Sequence, residues 1–323
     1  LQRLYLMELG QDYLGIYRAL ETAVARYPDH LDFKMQWAQM LLATEQEEAA
    51  LEILLQLERA EPSNGLVQLE LAEIYTGRDQ IEAAQEALSR AFDSEDVLVE
   101  EKHDILLQYL RIASVNPALL TPLADLMDRA IDLHGDDGSI RMLAADLAQM
   151  LVQPGFAREH MQVAVQAMPH IPSAWSNLIA LDAEQGEIAA MLKHAKEAMD
   201  RFPLEAEFGL MTGLGSLELG DAEGAIRFFK AGLAVVLDEP LLEARLAGLL
   251  GDALHQEGQV EAAGVAYERS LSQSPNDPTV LNNHAYRLAQ SKRQLDRALE
   301  CSSLAIELVP DEANFLDTHA WVL

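Results

Sequence analysis

Apolar residues return at helical spacing along nearly the whole chain, and the segments come in pairs. The stretch from Asn276 to Pro310 shows the pattern in its simplest form. Leu281, Ala285, Leu288 and Ala289 fall on one helical face, and Leu295, Ala298, Leu299, Leu304, Ala305 and Leu308 fall on another. The polar run Gln290-Ser291-Lys292-Arg293-Gln294 separates the two, and Val309-Pro310 stops the second. The spacing predicts a helix, a short turn and a second helix. Such a hairpin cannot bury both apolar faces by itself, so it needs neighbours of its own kind.

Prolines and acidic turns punctuate the chain at a nearly fixed period. Pro28 and Pro62 are 34 residues apart, as are Pro62 and Asp96 in the turn Asp93-Ser94-Glu95-Asp96. Pro169 and Pro203 are again 34 apart, Pro203 and Pro240 are 37 apart, and Pro240, Pro275 and Pro310 are spaced by 35. Each of these prolines is expected to follow a second helix and stop it. Small residues keep the same phase. Ala38, Ala72, Ala145, Gly213, Gly251 and Ala285 recur early in their units, Ala50, Ala84, Ala225, Ala263 and Ala298 past the middle, and Ala91, Ala198 and Gly232 late. These are the places where helices are expected to cross closely, with Tyr75, Trp175, Phe229 and Tyr267 filling the holes between them.

A period of 34 residues carrying two helices resembles the tetratricopeptide repeat family. The likeness is clearest over Gly65–Asp96, Ile171–Pro203, Ala244–Pro275 and Asn276–Pro310 and covers nearly the whole chain. It implies an all-α fold, a right-handed α-solenoid of stacked antiparallel helical hairpins running as one domain over residues 1–323. The units are expected at 29–62, 63–96, 97–136, 137–169, 170–203, 204–240, 241–275 and 276–310, with partial units at 1–28 and 311–323. Leu1–Leu9 reads as the end of a first helix and Asp12–Tyr27 as its partner. The last partial unit reads as a first helix, and a following helix would cover Phe315, Ala320 and Val322. Both ends thus read as cuts within a unit of a longer chain.

Three central units depart from the pattern. Val97–Asp136 lacks a clear small residue at its first crossing and carries Pro117 and Pro122, with helices expected at Glu100–Ser114 and Pro122–His134. In Gly138–Pro169 the pair Pro154-Gly155 is expected to break the chain between its helices. In Ile171–Pro203 the crossing positions hold Ile179 and Met191.

Composition narrows the function. Half of the 323 residues are hydrophobic but only 6% are aromatic, which suits packed helices. The formal charge is −30, from 53 acids against 23 bases, so neither nucleic acid nor an anionic membrane is an expected partner. The charge itself fits a solvated acidic surface, a groove for basic partners, or adaptation to salt. The single cysteine, Cys301, excludes an internal disulfide and a CxxC metal site and reads as a small core residue. No apolar run is long enough to span a membrane, so direct insertion is not expected.

No phosphate loop, dinucleotide fingerprint, nucleophile elbow or HExxH motif is present, and neither an enzyme nor a cofactor or metal site is expected. The nine histidines are scattered, although His284 and His319 occupy similar places in adjacent units and could approach each other. The acidic runs Glu45-Gln46-Glu47-Glu48 and Asp93-Ser94-Glu95-Asp96 are expected to cap helices.

The resemblance implies a groove lined by the first helix of each unit. Mapped onto this chain, the lining comprises Gln39, Glu73, Asp146, Asp252, His255, Asn282, Tyr286 and Trp321. This set would accept an extended or helical protein segment carrying Lys or Arg. Asn177 and Asn283 fall where the family uses Asn to bond a neighbouring turn. The clamp that some members use for acidic peptide tails is not expected, because its Lys and Arg positions hold acids, Leu or Ala. The expected function is therefore a protein-interaction scaffold or adaptor. The alternative is a self-associating structural or assembly component, stacking end to end. The repeat style of VLNNHAYRLAQ and LDTHAWVL is similar to that of bacterial members, often of the envelope, which leaves the cytoplasm and the periplasm both open.

Overall fold

A computed structural model describes residues 13–323, which form eighteen α-helices and one short 3-10 turn, with no strand among the described residues. The expected helix at Leu1–Leu9, and Asp12 beyond it, lie outside the described residues. The helices are α1 (Tyr13–Arg26), α2 (Leu31–Ala43), α3 (Glu47–Ala60), α4 (Gly65–Gly77), α5 (Ile81–Phe92), α6 (Val99–Ala113), α7 (Leu120–His134), α8 (Gly138–Met150) and α9 (Pro154–Ala167). They continue as α10 (Pro172–Glu184), α11 (Ile188–Arg201), α12 (Ala206–Glu218), α13 (Ala222–Val235), α14 (Pro240–Gln256), α15 (Val260–Gln273), α16 (Pro278–Gln290), α17 (Leu295–Leu308) and α18 (Ala313–Val322). Packing divides the chain into two compact units, residues 1–160 and 161–323. Within each, helices pack chiefly on their neighbours in sequence, as stacked hairpins do.

Turn chemistry repeats as regularly as the helices. In seven hairpins one residue after the first helix is left-handed: Glu45, Asp79, Val152, Gly186, Gly220, Gly258 and Lys292. The next amide reaches back to a carbonyl of the helix, from Gln46 N to Leu41 O, Glu187 N to Asp182 O and Arg293 N to Leu288 O among others, at 2.8–3.0 Å. This bond absorbs an orphan helix-end carbonyl. Glycine adopts the conformation freely at three turns, whereas the side chains at the other four work against it.

The small-residue positions lie at close helix crossings. Ala38, Ala50, Ala145, Ala225, Ala285 and Ala298 are wholly buried. A Cβ placed on Gly213 would stand 2.3 Å from the Phe229 ring, and one on Gly251 would stand 2.6 Å from the Tyr267 ring. Trp175, Phe229 and Tyr267 are themselves buried, and Tyr75 packs against the core of the first unit.

Successive second helices are tied by charge. In the first unit Arg90 on α5 binds Glu58 on α3, Arg129 on α7 binds Asp93 at the end of α5, and Arg78 binds Glu47 and Glu48 at the start of α3. In the second, Arg297 on α17 binds Glu268 on α15, and Arg293 binds Glu261. These pairs are part-exposed, so water screens them and each adds little.

The structure revises several sequence expectations. The acidic runs do not cap by side chain. The N-cap carboxylates and amide are Asn64, Asp137, Asp221, Asp277 and Glu312, while Glu47 and Glu48 accept from Arg78, and Asp93 accepts from Arg129. Pro154-Gly155 is the first turn of α9 and not a break, and Pro240 opens α14 instead of ending α13. Both follow from proline's tolerance at the first helical position, where no amide hydrogen is needed. A 3-10 turn at Pro117–Leu119 leads into α7, and α6 and α7 pack more loosely than α4 and α5. Phe315 and Val322 already pack on Leu271, Leu281, Ala285, Cys301 and Ala305, and the exposed apolar residues of α18 include Leu316, Ala320 and Trp321. Cys301 is buried, and burial pushes its thiol up to about 11.

Four histidines give the fold an acid-sensitive signature. His134, His160, His255 and His284 are all held below the ordinary imidazole range, in each case chiefly by burial. The unfolded chain therefore binds these protons more readily than the folded chain. Their contribution to stability is complete above the unfolded value of about 6.5 and is lost as the pH falls below it. Melting temperature at high, constant ionic strength should fall between about pH 7.5 and pH 5.5. A flat or rising profile would contradict this origin.

Candidate functional site

The first-helix face of the second unit carries a polar network that links three helices. Asp252 on α14 accepts the Tyr267 hydroxyl at 2.6 Å and the Asn283 side-chain amide of α16 at 3.2 Å. Burial, followed by the neighbouring Asp252 carboxylate, drives the Tyr267 hydroxyl far above its ordinary range. Asp252 thus ties α14 to α15 and to α16, and its predicted role as a hook for a basic ligand is already taken by internal partners. Asn283 holds the structural position expected of it, but it binds a carboxylate rather than a turn.

Three buried polar atoms on this face lack a partner: His255 Nδ1, Asn282 Oδ1 and Arg287 Nε. The Asn282 amide nitrogen makes only a long contact to Asn283, at 3.4 Å. The Arg287 guanidinium lies 5.1 Å from the centroid of the Tyr286 ring. Buried polar groups without partners cost free energy, on the order of 1–3 kcal/mol each, unless a ligand or water supplies the bond. Beside them an open groove of about 710 Å³ runs between α16 and α18. Asn282, Tyr286, Arg287, Phe315 and Thr318 are among the residues that line it.

Of the predicted lining residues, Asn282 and Tyr286 lie in this groove, and Asp252 and His255 stand on the adjoining first helix. Trp321 is 66% exposed and is not part of the groove wall. In the first unit Gln39 on α2 donates to Glu70 on α4 at 2.8 Å, and Glu73, one turn on, is exposed. Asp146 on α8 touches water, yet desolvation by the surrounding protein raises its carboxyl above the ordinary range. Arg287 and Phe315 were not among the sequence candidates. Arg287 in particular gives the groove a cation where the sequence suggested acids and neutral residues.

His284 and His319 do not pair with each other. His284 hydrogen-bonds Glu268 at 2.9 Å and His319 hydrogen-bonds the Ser302 hydroxyl at 2.9 Å, each on the second helix of the preceding hairpin. Among the described residues no three His, Cys, Asp or Glu side chains converge to hold a metal ion, and no helix is long and apolar enough to cross a membrane.

Residues 244–277, spanning most of α14 and α15, match the sequence model of the tetratricopeptide repeat. No curated protein matches the sequence. Solved structures do. YrrB, described as a TPR protein with an unusual peptide-binding site, superposes with a TM-score of 0.50 at 16% identity, over 60% of this chain and 97% of its own. PilF of Pseudomonas aeruginosa gives 0.53 at 17% identity, over 69% of this chain and 98% of its own. At such identities the likeness is one of fold. With its hairpin period, its close small-residue crossings and a matching repeat at 244–277, the chain has the tetratricopeptide-repeat fold.

Proposed function

We propose that this protein is an interaction scaffold whose groove between α16 and α18 takes an extended or helical segment of a partner protein. One observation carries the reading: Asn282 Oδ1 and Arg287 Nε, on two residues that line an open groove with aromatic walls, are left without partners. A peptide offers both donors and acceptors along its backbone and could satisfy both, while Tyr286 and Phe315 would pack against its side chains. The description of YrrB, a protein of the same fold, as having a peptide-binding site agrees with this reading. Because Asp252 is bonded internally and Arg287 faces the groove, a basic segment is not specifically favoured at this end.

The test is selection of peptides from a random display library against the full chain, followed by titration of the enriched sequences. Asn282→Ala with Arg287→Ala should weaken binding about tenfold or more, the loss of one to two good hydrogen bonds, with helicity unchanged. Equal binding to the variant, or failure to enrich any peptide, would count against the groove. Mass that rises with protein concentration in light scattering would instead favour the second reading, self-association.

A further inference from the structure

The second-helix face of α11 and α13 runs against the charge of the rest of the molecule. Of the second helices that follow α1, only these two carry more Lys and Arg than Asp and Glu. Three of the six lysines of the chain, Lys193, Lys196 and Lys230, stand here with Arg227. All four are exposed. On other second helices Arg90, Arg129 and Arg297 bind carboxylates of the neighbouring hairpin. Among the described residues these four cations make no ion pair. Two of them instead converge on one aromatic ring: Lys196 of α11 stands 5.6 Å and Arg227 of α13 stands 5.9 Å from the centroid of Phe228. That contact joins the two helices into one patch.

Next to the patch lies a pocket of about 530 Å³, with Trp175 and Leu178 among its apolar lining and Lys193, His194, Arg201, Gln166 and the single acid Glu197 at its rim. The rim is held in place from beneath. His194 hydrogen-bonds the fully buried Asp182 at 2.6 Å, and Arg201 lies 5.3 Å from the Trp175 ring centroid and pairs with Glu197. Lys193 belongs both to the rim and to the cationic row, so the pocket and the charge are continuous.

We propose that this face is a second docking surface, for an acidic protein segment with one large apolar side chain. The apolar side chain would enter the Trp175–Leu178 pocket, and flanking carboxylates would lie along Lys193, Lys196, Arg227 and Lys230. Charge complementarity selects this occupant. A nucleic acid or an anionic membrane would meet the field of a molecule with net charge −30 well before it met four local cations, whereas a short segment engages only the patch. The surface does not use the groove, so Asn282→Ala with Arg287→Ala leaves it intact and the two sites can fail separately.

The experiment uses a short fluorescein-labelled Glu/Asp peptide with a central Phe, titrated with the full chain by fluorescence anisotropy at low and at raised salt. Binding should occur, weaken with salt, and fall about tenfold or more in Lys193→Gln/Lys196→Gln/Arg227→Gln/Lys230→Gln. A control with equal charge change elsewhere, Arg18→Gln/Arg59→Gln/Arg111→Gln/Lys292→Gln, should bind as the parent does. The proposal is overturned if the peptide does not bind, if both variants lose binding alike, or if neither does. Equal affinity for the same peptide with Ser in place of Phe would remove the pocket from it. Tighter binding to phosphatidylglycerol vesicles than to the peptide would replace the occupant.

Discussion

Gly213→Ala and Gly251→Ala should each destabilise the second unit by about 1–3 kcal/mol, the usual cost of forcing atoms into a filled core. The added methyl groups would meet the rings of Phe229 and Tyr267 at less than any real carbon contact. Neither ring can retreat. Phe229 is fully buried, and Tyr267 is anchored by its hydroxyl to Asp252. The usual benefit of Gly→Ala within a helix, roughly 0.5–1 kcal/mol, is therefore overwhelmed. Gly155→Ala is the control, since nothing lies within 4 Å of its added carbon and its φ is not left-handed. Urea denaturation of the three variants decides the matter. Equal behaviour of Gly251→Ala and Gly155→Ala would mean that the α14–α15 crossing is not close.

Lys102 is the second position where a single change should be severe. Its side chain is fully buried on α6, and its ammonium donates to the Ser94 carbonyl at 2.8 Å and meets His134 Nε2 on α7 at 3.1 Å. Burial lowers the pKa of Lys102, and it lowers that of His134 with the neighbouring ammonium acting in the same direction. Lys102 thus holds the turn after α5 against the end of α7, in a hairpin whose helices pack more loosely on each other than α4 and α5 do. Lys102→Ala should cost about 3–5 kcal/mol, combining a cavity with two polar groups left without a partner. Lys102→Met refills the stem and should recover part of that loss, leaving about 1–3 kcal/mol from the unpaired carbonyl and imidazole. Hydrogen exchange in peptides covering 93–134 should report both losses locally. A change below about 1 kcal/mol for Lys102→Ala would show that the lysine is a passenger.

The hairpin period and the crossing positions were legible in the sequence because both are enforced by side-chain size. Only a small residue fits at Ala38, Gly213 or Gly251, so the chain advertises the crossing. The turns were less legible. Gly186, Gly220 and Gly258 mark left-handed positions, but Glu45, Asp79, Val152 and Lys292 occupy equivalent places with side chains that give no local signal. Pro154 and Pro240 are ambiguous in sequence, since proline both ends one helix and begins the next, and here they open α9 and α14. At the candidate groove, sequence spacing puts Asn282 and Tyr286 on one helix face but carries no sign of the wiring. Nothing in one dimension shows that Asp252 is consumed by Tyr267 and Asn283, or that Arg287 turns toward the groove. The basic patch on α11 and α13 was hidden for another reason: its cations are few against a charge of −30, and only their adjacency in space sets them apart.

The account rests on hairpins that owe their stability to their immediate neighbours. Hydrogen exchange of Gly251→Ala against the parent chain, resolved by peptide, tests this most directly. Faster exchange confined to α12 through α17, with α2 through α5 unchanged, is the predicted result. A uniform rise in exchange across residues 13–323 would contradict the account, because it would mean one cooperative core in place of stacked repeats.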